Sequence, residues 1–213
     1  MELQGKIINF LGDSITEGAG ASSEKTRFTT LLAEKAGLAC FRNYGIGGTR
    51  IAHAAVPSEN PRYDLDFCGR FREMDDNADV IVVFGGTNDY GHGTAPFGEP
   101  DEFTPDTFCG ACNYLFRGLV EKYPTKTIVV MTPIQRTGGE HPNASGKKLS
   151  DYVEVILRTA ARYALPVLDL YHTLGLCPDI PAQKEAFTVD GLHPNDAGNA
   201  LLADRLYAFL KTL

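Results

Sequence analysis

Phe10-Leu11-Gly12-Asp13-Ser14-Ile15-Thr16-Glu17-Gly18 continues an apolar run that begins at Ile7, and the two together read as a buried strand that stops at Gly12 with a hydroxyl just beyond it. In an open parallel sheet, ligands bind outside the carboxyl ends of the strands, so Ser14 is expected at the mouth of a cleft. Serine is unreactive at its free pKa and needs a neighbouring base, which must itself be held by a third group. The remaining chain must supply both those partners and the sheet that gathers them.

The sheet can be read outward from this strand. Thr26 to Ala36 has helical spacing that buries Phe28, Leu31 and Leu32 and stops at Gly37. Ala39 to Tyr44 is a second strand, ending in Gly45-Ile46-Gly47-Gly48-Thr49, a loop whose backbone can approach something closely. Residues 57 to 66 read as a surface loop before a short helix near Phe67 to Met74. Asp79 to Phe84 is the most continuous β-branched run and is expected to be the central strand, bounded by Gly85-Gly86.

Tyr90 to Pro105, rich in Gly, Pro and acids, reads as an excursion over the cleft. A helix is expected from about Pro105, with proline at its first position, to Lys122. Thr127 to Met131 is a fourth strand, Pro133 to Gly146 a polar loop, and Lys147 to Tyr163 a helix. Pro166 to Leu170 is a fifth strand, followed by a loop to His193 and a closing amphipathic helix from Pro194 to Leu210. Five strands alternating with helices, with no linker or repeat, predict one α/β domain over residues 1–213, built on a parallel sheet covered on both faces.

Composition narrows the function classes. The 213 residues are 43% hydrophobic and 22% charged, a globular balance with no run long enough for a membrane span. No basic segment precedes the first apolar run, so a soluble cytoplasmic protein is expected. A net charge of −7 disfavours nucleic acid, whose binding rests on neutralising phosphates. The expected partner is a small molecule. The five cysteines, Cys40, Cys68, Cys109, Cys112 and Cys177, read as reduced thiols. Cys109-Gly110-Ala111-Cys112 has no second Cys or His pair to complete a zinc site.

Four segments at strand ends carry reactive or backbone-exposing residues: Gly12-Asp13-Ser14, Gly45 to Thr49, Gly86-Thr87-Asn88-Asp89 and Asp190-Gly191-Leu192-His193. A parallel sheet places all four on one edge. The three-residue spacing of Asp190 and His193 lets a carboxylate orient an imidazole, and Pro194 fixes the corner that follows. Asn88 can offer its side-chain N–H, and Gly48 and Ser14 their backbone N–H, to a developing oxyanion. Taken singly, Asp190-Gly191 and Asn88-Asp89 are ordinary turn sequences; their placement after successive strands favours a shared site.

With those residues in order, the sequence resembles the SGNH, or GDSL-type, hydrolase family. Gly12-Asp13-Ser14-Ile15-Thr16-Glu17-Gly18 looks like its first block, Asn43 to Gly48 its second, Gly86-Thr87-Asn88-Asp89 its third and Asp190-Gly191-Leu192-His193 its last. The resemblance implies a three-layer α/β/α sandwich on a flavodoxin-like five-stranded parallel sheet. It implies Ser14, Asp190 and His193 as catalytic triad, Ser14, Gly48 and Asn88 as oxyanion hole, and neither cofactor nor metal. The implied reaction is ester hydrolysis through an acyl-enzyme. Asp13, Asp89, His53, His92, His141 and His172 then read as supporting or surface residues.

The same scaffold serves sugar acetates, lipids, thioesters and small esters. The loops after the strands hold few large apolar residues and many polar ones, among them Arg50, His53, Glu59, Arg62, His92, Glu99, Gln135, Arg136 and Asn143. A short acyl group, acetyl above all, and a polar alcohol such as a carbohydrate are therefore expected, with a lysophospholipase or thioesterase as the alternative. Two rivals fit less well. A metallophosphoesterase could use Asp13, Asn88, Asp89 and His193 but lacks a second ligand beside Asp13. A non-catalytic carbohydrate- or nucleotide-binding domain has no use for Ser14, Asp190 and His193 together, and Gly45 to Gly48 fails the GxGxxG pattern.

Overall fold

A computed structural model describes residues 1–213. The elements in chain order are β1 (Ile7–Gly12), α1 (Ser14–Glu17), α2 (Phe28–Ala36), β2 (Cys40–Gly45), α3 (Phe67–Arg70), β3 (Val80–Phe84), α4 (Thr87–His92), α5 (Phe108–Lys122), β4 (Thr127–Met131), α6 (Leu149–Arg162), β5 (Val167–Leu168), α7 (Leu170–Thr173), α8 (Pro181–Phe187) and α9 (Asp196–Thr212). All five strands are parallel, in the order β2-β1-β3-β4-β5. No helix is long and apolar enough to cross a membrane.

The register aligns the strand ends. Gly12 pairs with Gly45 on one side and Phe84 on the other, and Phe84 pairs with Met131. The residues after each strand therefore emerge along one edge. Between β1 and β3 the order of connection reverses, which opens a crevice at the carboxyl ends of those two strands.

The central strand β3 is buried along its whole length, as its unbroken apolar sequence requires when both faces are covered. Side chains alternate between two cores. Leu11, Ile81, Val83, Ile128 and Val130 pack with Phe108, Leu115, Phe116 and Leu119 of α5 and Tyr152 and Ile156 of α6. Phe10, Val80, Val82 and Val129 pack with Phe28 and Leu32 of α2 and Leu202, Leu206 and Leu210 of α9. Burying one such aromatic or leucine side chain contributes about 1.5–3 kcal/mol, which is what holds each helix layer on the sheet.

Several expected boundaries shift. The helix expected from Pro105 begins at Phe108, because the Thr107 hydroxyl accepts from Gly110 N–H and caps it there. The fifth strand shrinks to two residues: Asp169 accepts from His172 N–H, turning the chain into α7. Of the stretch from Tyr90 to Pro105, only Gly91 and His92 line the cleft. The first residues of the stretch complete α4, and the remainder lies on α5 and α6, where Asn113 donates to the carbonyls of Pro100 and Glu102 and Phe97 packs on Phe108 and Tyr152.

The loop expected before His193 contains α8, with Pro181 in its first turn. The last helix starts at Asp196 rather than Pro194. Pro194 bridges to Thr188, and the Asn195 side chain accepts from Gly198 N–H as the cap.

Candidate active site

The first turn after β1 is organised by Asp13, whose carboxylate accepts from Ile15 N–H at 3.0 Å and caps α1. This turn presents Ser14 at the crevice with only 8% of its surface exposed. Ser14 Oγ lies 3.0 Å from His193 Nε2, and His193 Nδ1 lies 2.7 Å from Asp190 Oδ2. Asp190 Oδ1 accepts from the backbone N–H groups of Leu192 and His193, at 2.9 and 2.7 Å, so the carboxylate folds its own loop around itself. Partial burial alone would raise the Asp190 carboxyl. The hydrogen bonds from the His193 ring and from these two N–H groups outweigh it and hold the group below the usual carboxylate range.

Facing this relay are the donors. Asn88, at the start of α4, uses one side-chain N–H to reach the Thr49 carbonyl at 2.9 Å, leaving the other for the cleft. Gly48, three residues beyond the end of β2, has φ +77°, and a Cβ there would collide with the Tyr63 ring. Its N–H makes no hydrogen bond within the chain. Gly47 N–H is held by Glu17 at 2.7 Å, and Glu17 in turn pairs with Arg62. Ser14, Gly48, Asn88 and His193 line one cleft of about 460 Å³, whose apolar side chains are Ala19, Tyr63 and Leu192.

Two residues support this arrangement: Arg70, which the sequence did not single out, and Asp89, expected among the supporting or surface residues. Arg70 donates to the carbonyls of Gly12, at 2.7 Å, and Tyr44, and to the Thr49 hydroxyl at 2.8 Å, so one guanidinium ties the ends of β1 and β2 to the loop carrying Gly48. Burial lowers its pKa to about 10, which leaves it charged at neutral pH. Asp89 accepts from Ile51 N–H at 2.9 Å and Ala52 N–H at 3.0 Å, pinning the far side of the same loop. Burial pushes the Asp89 carboxyl up to about 6 and that of Asp13 up to about 7.

Of the polar residues expected to face substrate, Arg62, His92 and Arg136 line the cleft. Arg50 is spent on Asp64, Ser58 and the Tyr63 carbonyl, and Asn143 on the Tyr90 carbonyl and Tyr152 hydroxyl. His53 lies between Asp66 and Asp106. Glu99 sits with Phe97 and Lys147 on the α5–α6 side. No group of three or more His, Cys, Asp or Glu side chains is disposed to hold a metal ion. Cys109 and Cys112 are buried in α5.

A hydroxyl, an imidazole and a carboxylate bonded in that order, opposite N–H donors, can generate an alkoxide-like nucleophile and receive an oxyanion. The family model for GDSL-like lipase/acylhydrolases matches residues 10–201, which spans all four segments. The chain belongs to the GDSL-like lipase/acylhydrolase family. Among solved structures, a protein from Lactobacillus plantarum is 33% identical with a TM-score of 0.85, over 98% of each chain. A lipase/acylhydrolase from Enterococcus faecalis is 20% identical with a TM-score of 0.68, over 97% of this chain and 96% of that one. A two-domain esterase active on acetylated mannans is 21% identical with a TM-score of 0.64, over 97% of this chain and 48% of the other. No curated protein sequence matches the chain.

Proposed function

We propose that this acylhydrolase-family chain is a serine carboxylic ester hydrolase, its 213 residues forming one catalytic domain that removes short acyl groups, chiefly acetyl, from polar alcohols such as O-acetylated carbohydrates. The observation that carries the reading is the continuous relay from Ser14 Oγ through His193 to Asp190, at 3.0 and 2.7 Å. His193 Nε2 takes the Ser14 proton as Oγ attacks the ester carbonyl. Asp190 holds the ring in the tautomer that leaves Nε2 free and stabilises the imidazolium. The oxyanion is received by Ser14 N–H, Gly48 N–H and Asn88. His193 then gives its proton to the departing alcohol, and afterwards takes one from the water that cleaves the acyl-enzyme, releasing the carboxylic acid and restoring Ser14.

The short-acyl assignment is supported by the cleft's makeup. Each CH₂ of a longer chain would gain roughly 0.8 kcal/mol on burial, but only against an apolar groove. Here Ala19, Tyr63 and Leu192 are set among Glu17, Asn60, Arg62, His92 and Arg136. The neighbour of the same fold described as active on acetylated mannans performs chemistry of the class proposed. The test is a series of p-nitrophenyl acetate, butyrate, octanoate and palmitate. kcat/KM should be highest at acetate or butyrate, and a maximum at octanoate or beyond would replace the assignment with a lysophospholipase or long-chain thioesterase.

A further inference from the structure

The cleft contains two arginines, and only one has a counter-ion. Arg62 is paired with Glu17. Arg136, from the loop after β4, has no carboxylate within 4.0 Å. Its Nη1 reaches the Thr87 carbonyl and hydroxyl at 3.4 Å each, which are long bonds, and its Nε and Nη2 have no partner in the chain. The guanidinium carbon lies 5.7 Å from the centre of the Tyr90 ring, which supports one face of the group.

Gly91 packs against the Nη1 side, where a Cβ would lie 2.8 Å from that nitrogen, so glycine admits the guanidinium at this wall of the cleft and Nε and Nη2 form its unbonded edge. Gly91, Arg136 and Ser14 line the same cleft. Asp190 and Asp13 act on Arg136 only through space, neither lying within 4.0 Å of it, and Asp190 is held in place by the His193 ring and two backbone N–H groups.

A half-buried cation without a partner is costly, and folded proteins pair such charges. Burial lowers the Arg136 pKa, a sign of the same cost, although an arginine remains charged. This chain has 27 acidic residues against 20 basic ones, so internal partners are plentiful, yet none is placed here. The free edge of a guanidinium is a planar fork that matches the two oxygens of a carboxylate, phosphate or sulfate.

We propose that the natural substrate is an ester whose alcohol portion bears an anionic group, seated on Arg136 while Ser14 attacks the acyl carbon. This deepens the esterase reading and rests on it: a short acyl group leaves the alcohol as the part able to carry the charge. Arg136 acts as a specificity residue and takes no part in bond making.

The test compares kcat/KM for three para-substituted phenyl acetates: 4-acetoxybenzoate, its planar neutral isostere 4-acetoxybenzamide, and 4-acetoxyphenyl phosphate. The amide is the more electron-withdrawing substituent, so intrinsic reactivity works against the expected order. The wild type should favour at least one anionic ester by about tenfold or more, the size of a charged hydrogen-bonded pair, and the preference should shrink as salt is raised. Arg136→Gln should bring the ratio to about one, and Arg136→Lys should retain part of it. Whichever anion is preferred separates a carboxylated alcohol from a phosphorylated one.

A wild-type ratio at or below one, or an Arg136→Gln protein that keeps the preference, overturns this inference while leaving the esterase reading in place. If a fluorophosphonate labels Ser14 but no ester turns over, protection of Ser14 by benzoate relative to benzamide reads the same preference. Failure of both hydrolysis and Ser14 labelling overturns the esterase reading and this inference with it.

Discussion

The Asn88 side chain donates to the Thr49 carbonyl at 2.9 Å, joining the segment after β3 to the loop after β2. One proposed oxyanion donor is thereby fixed to the loop that carries another, Gly48. Asn88→Ala removes the donor and the tie together. Because that donor is aimed at charge present mainly in the transition state, kcat should fall about 10² to 10³-fold with a small change in KM. A loss confined to KM would make Asn88 a substrate-binding residue.

Ser14 and His193 act as one unit in the proposed reaction. Ser14→Ala and His193→Ala should each remove most of kcat, and the double variant should lose little more. Steady-state rates on p-nitrophenyl acetate check this, and multiplicative losses would contradict a shared step. Mass spectrometry after treatment with a fluorophosphonate should place the adduct on Ser14.

Gly48 couples backbone conformation to the cleft wall. Gly48→Ala places a side chain at φ +77° and against the Tyr63 ring, so it should cost about 1–3 kcal/mol of stability and lower kcat as the N–H is displaced. Adding Tyr63→Ala relieves the collision but not the dihedral strain. Denaturant melts should therefore show only partial recovery, whereas full recovery would assign the whole effect to the ring.

Asp13 predicts a pH dependence of stability. Burial raises its carboxyl to about 7, against an unfolded value of about 4. The folded state thus holds a proton that the unfolded state releases, and the associated stability, full below pH about 4, is lost as pH rises through about 7. Asp13→Asn keeps an oxygen for the Ile15 N–H and cannot ionise. Urea titrations should show the wild type losing stability relative to this variant between pH 4 and 8, by on the order of 2–4 kcal/mol. A difference that does not change with pH would refute this account of Asp13.

Much of this architecture was readable from the chain. The apolar runs at Ile7, Val80 and Thr127 announced three strands, and the strand-end rule located Ser14, Gly48 and Asn88; the Asp190–His193 pair, expected at a strand end, lies instead between α8 and α9 and meets Ser14 at the same edge. What could not be read depended on contacts between distant segments. Thr87 to His92 looks like turn sequence, with Asn, Asp and Gly in six residues, yet Asp89 accepting from Ile51 and Ala52 stabilises it as a helix. Arg70 gives no local sign that it will gather acceptors from two strand ends and from the loop carrying Gly48, because its surroundings exist only once β1 and β2 pair. Polar loop residues likewise all looked available for substrate. Arg50 and Arg136 have the same side chain, yet Arg50 is buried and bonded to Asp64, Ser58 and the Tyr63 carbonyl, whereas Arg136 lines the cleft with no carboxylate beside it.

The two cores on either side of the sheet have a consequence for how this protein would fail. Ile15, directly after Ser14, and the α9 residues that follow His193 belong to one core. Ile51 and Ala52, beyond the Gly48 loop, and the partly buried Tyr90, two residues after Asn88, belong to the other. The proposed nucleophile and base, Ser14 and His193, thus rest on one foundation and two of the three proposed oxyanion donors, Gly48 and Asn88, on another, with the sheet as the wall between. A cavity cut beneath α9, as by Leu206→Ala, loosens proton transfer, while one beneath α6, as by Ile156→Ala, loosens charge stabilisation. Damage of equal depth on the two sides of the wall would leave different fingerprints in the kinetics.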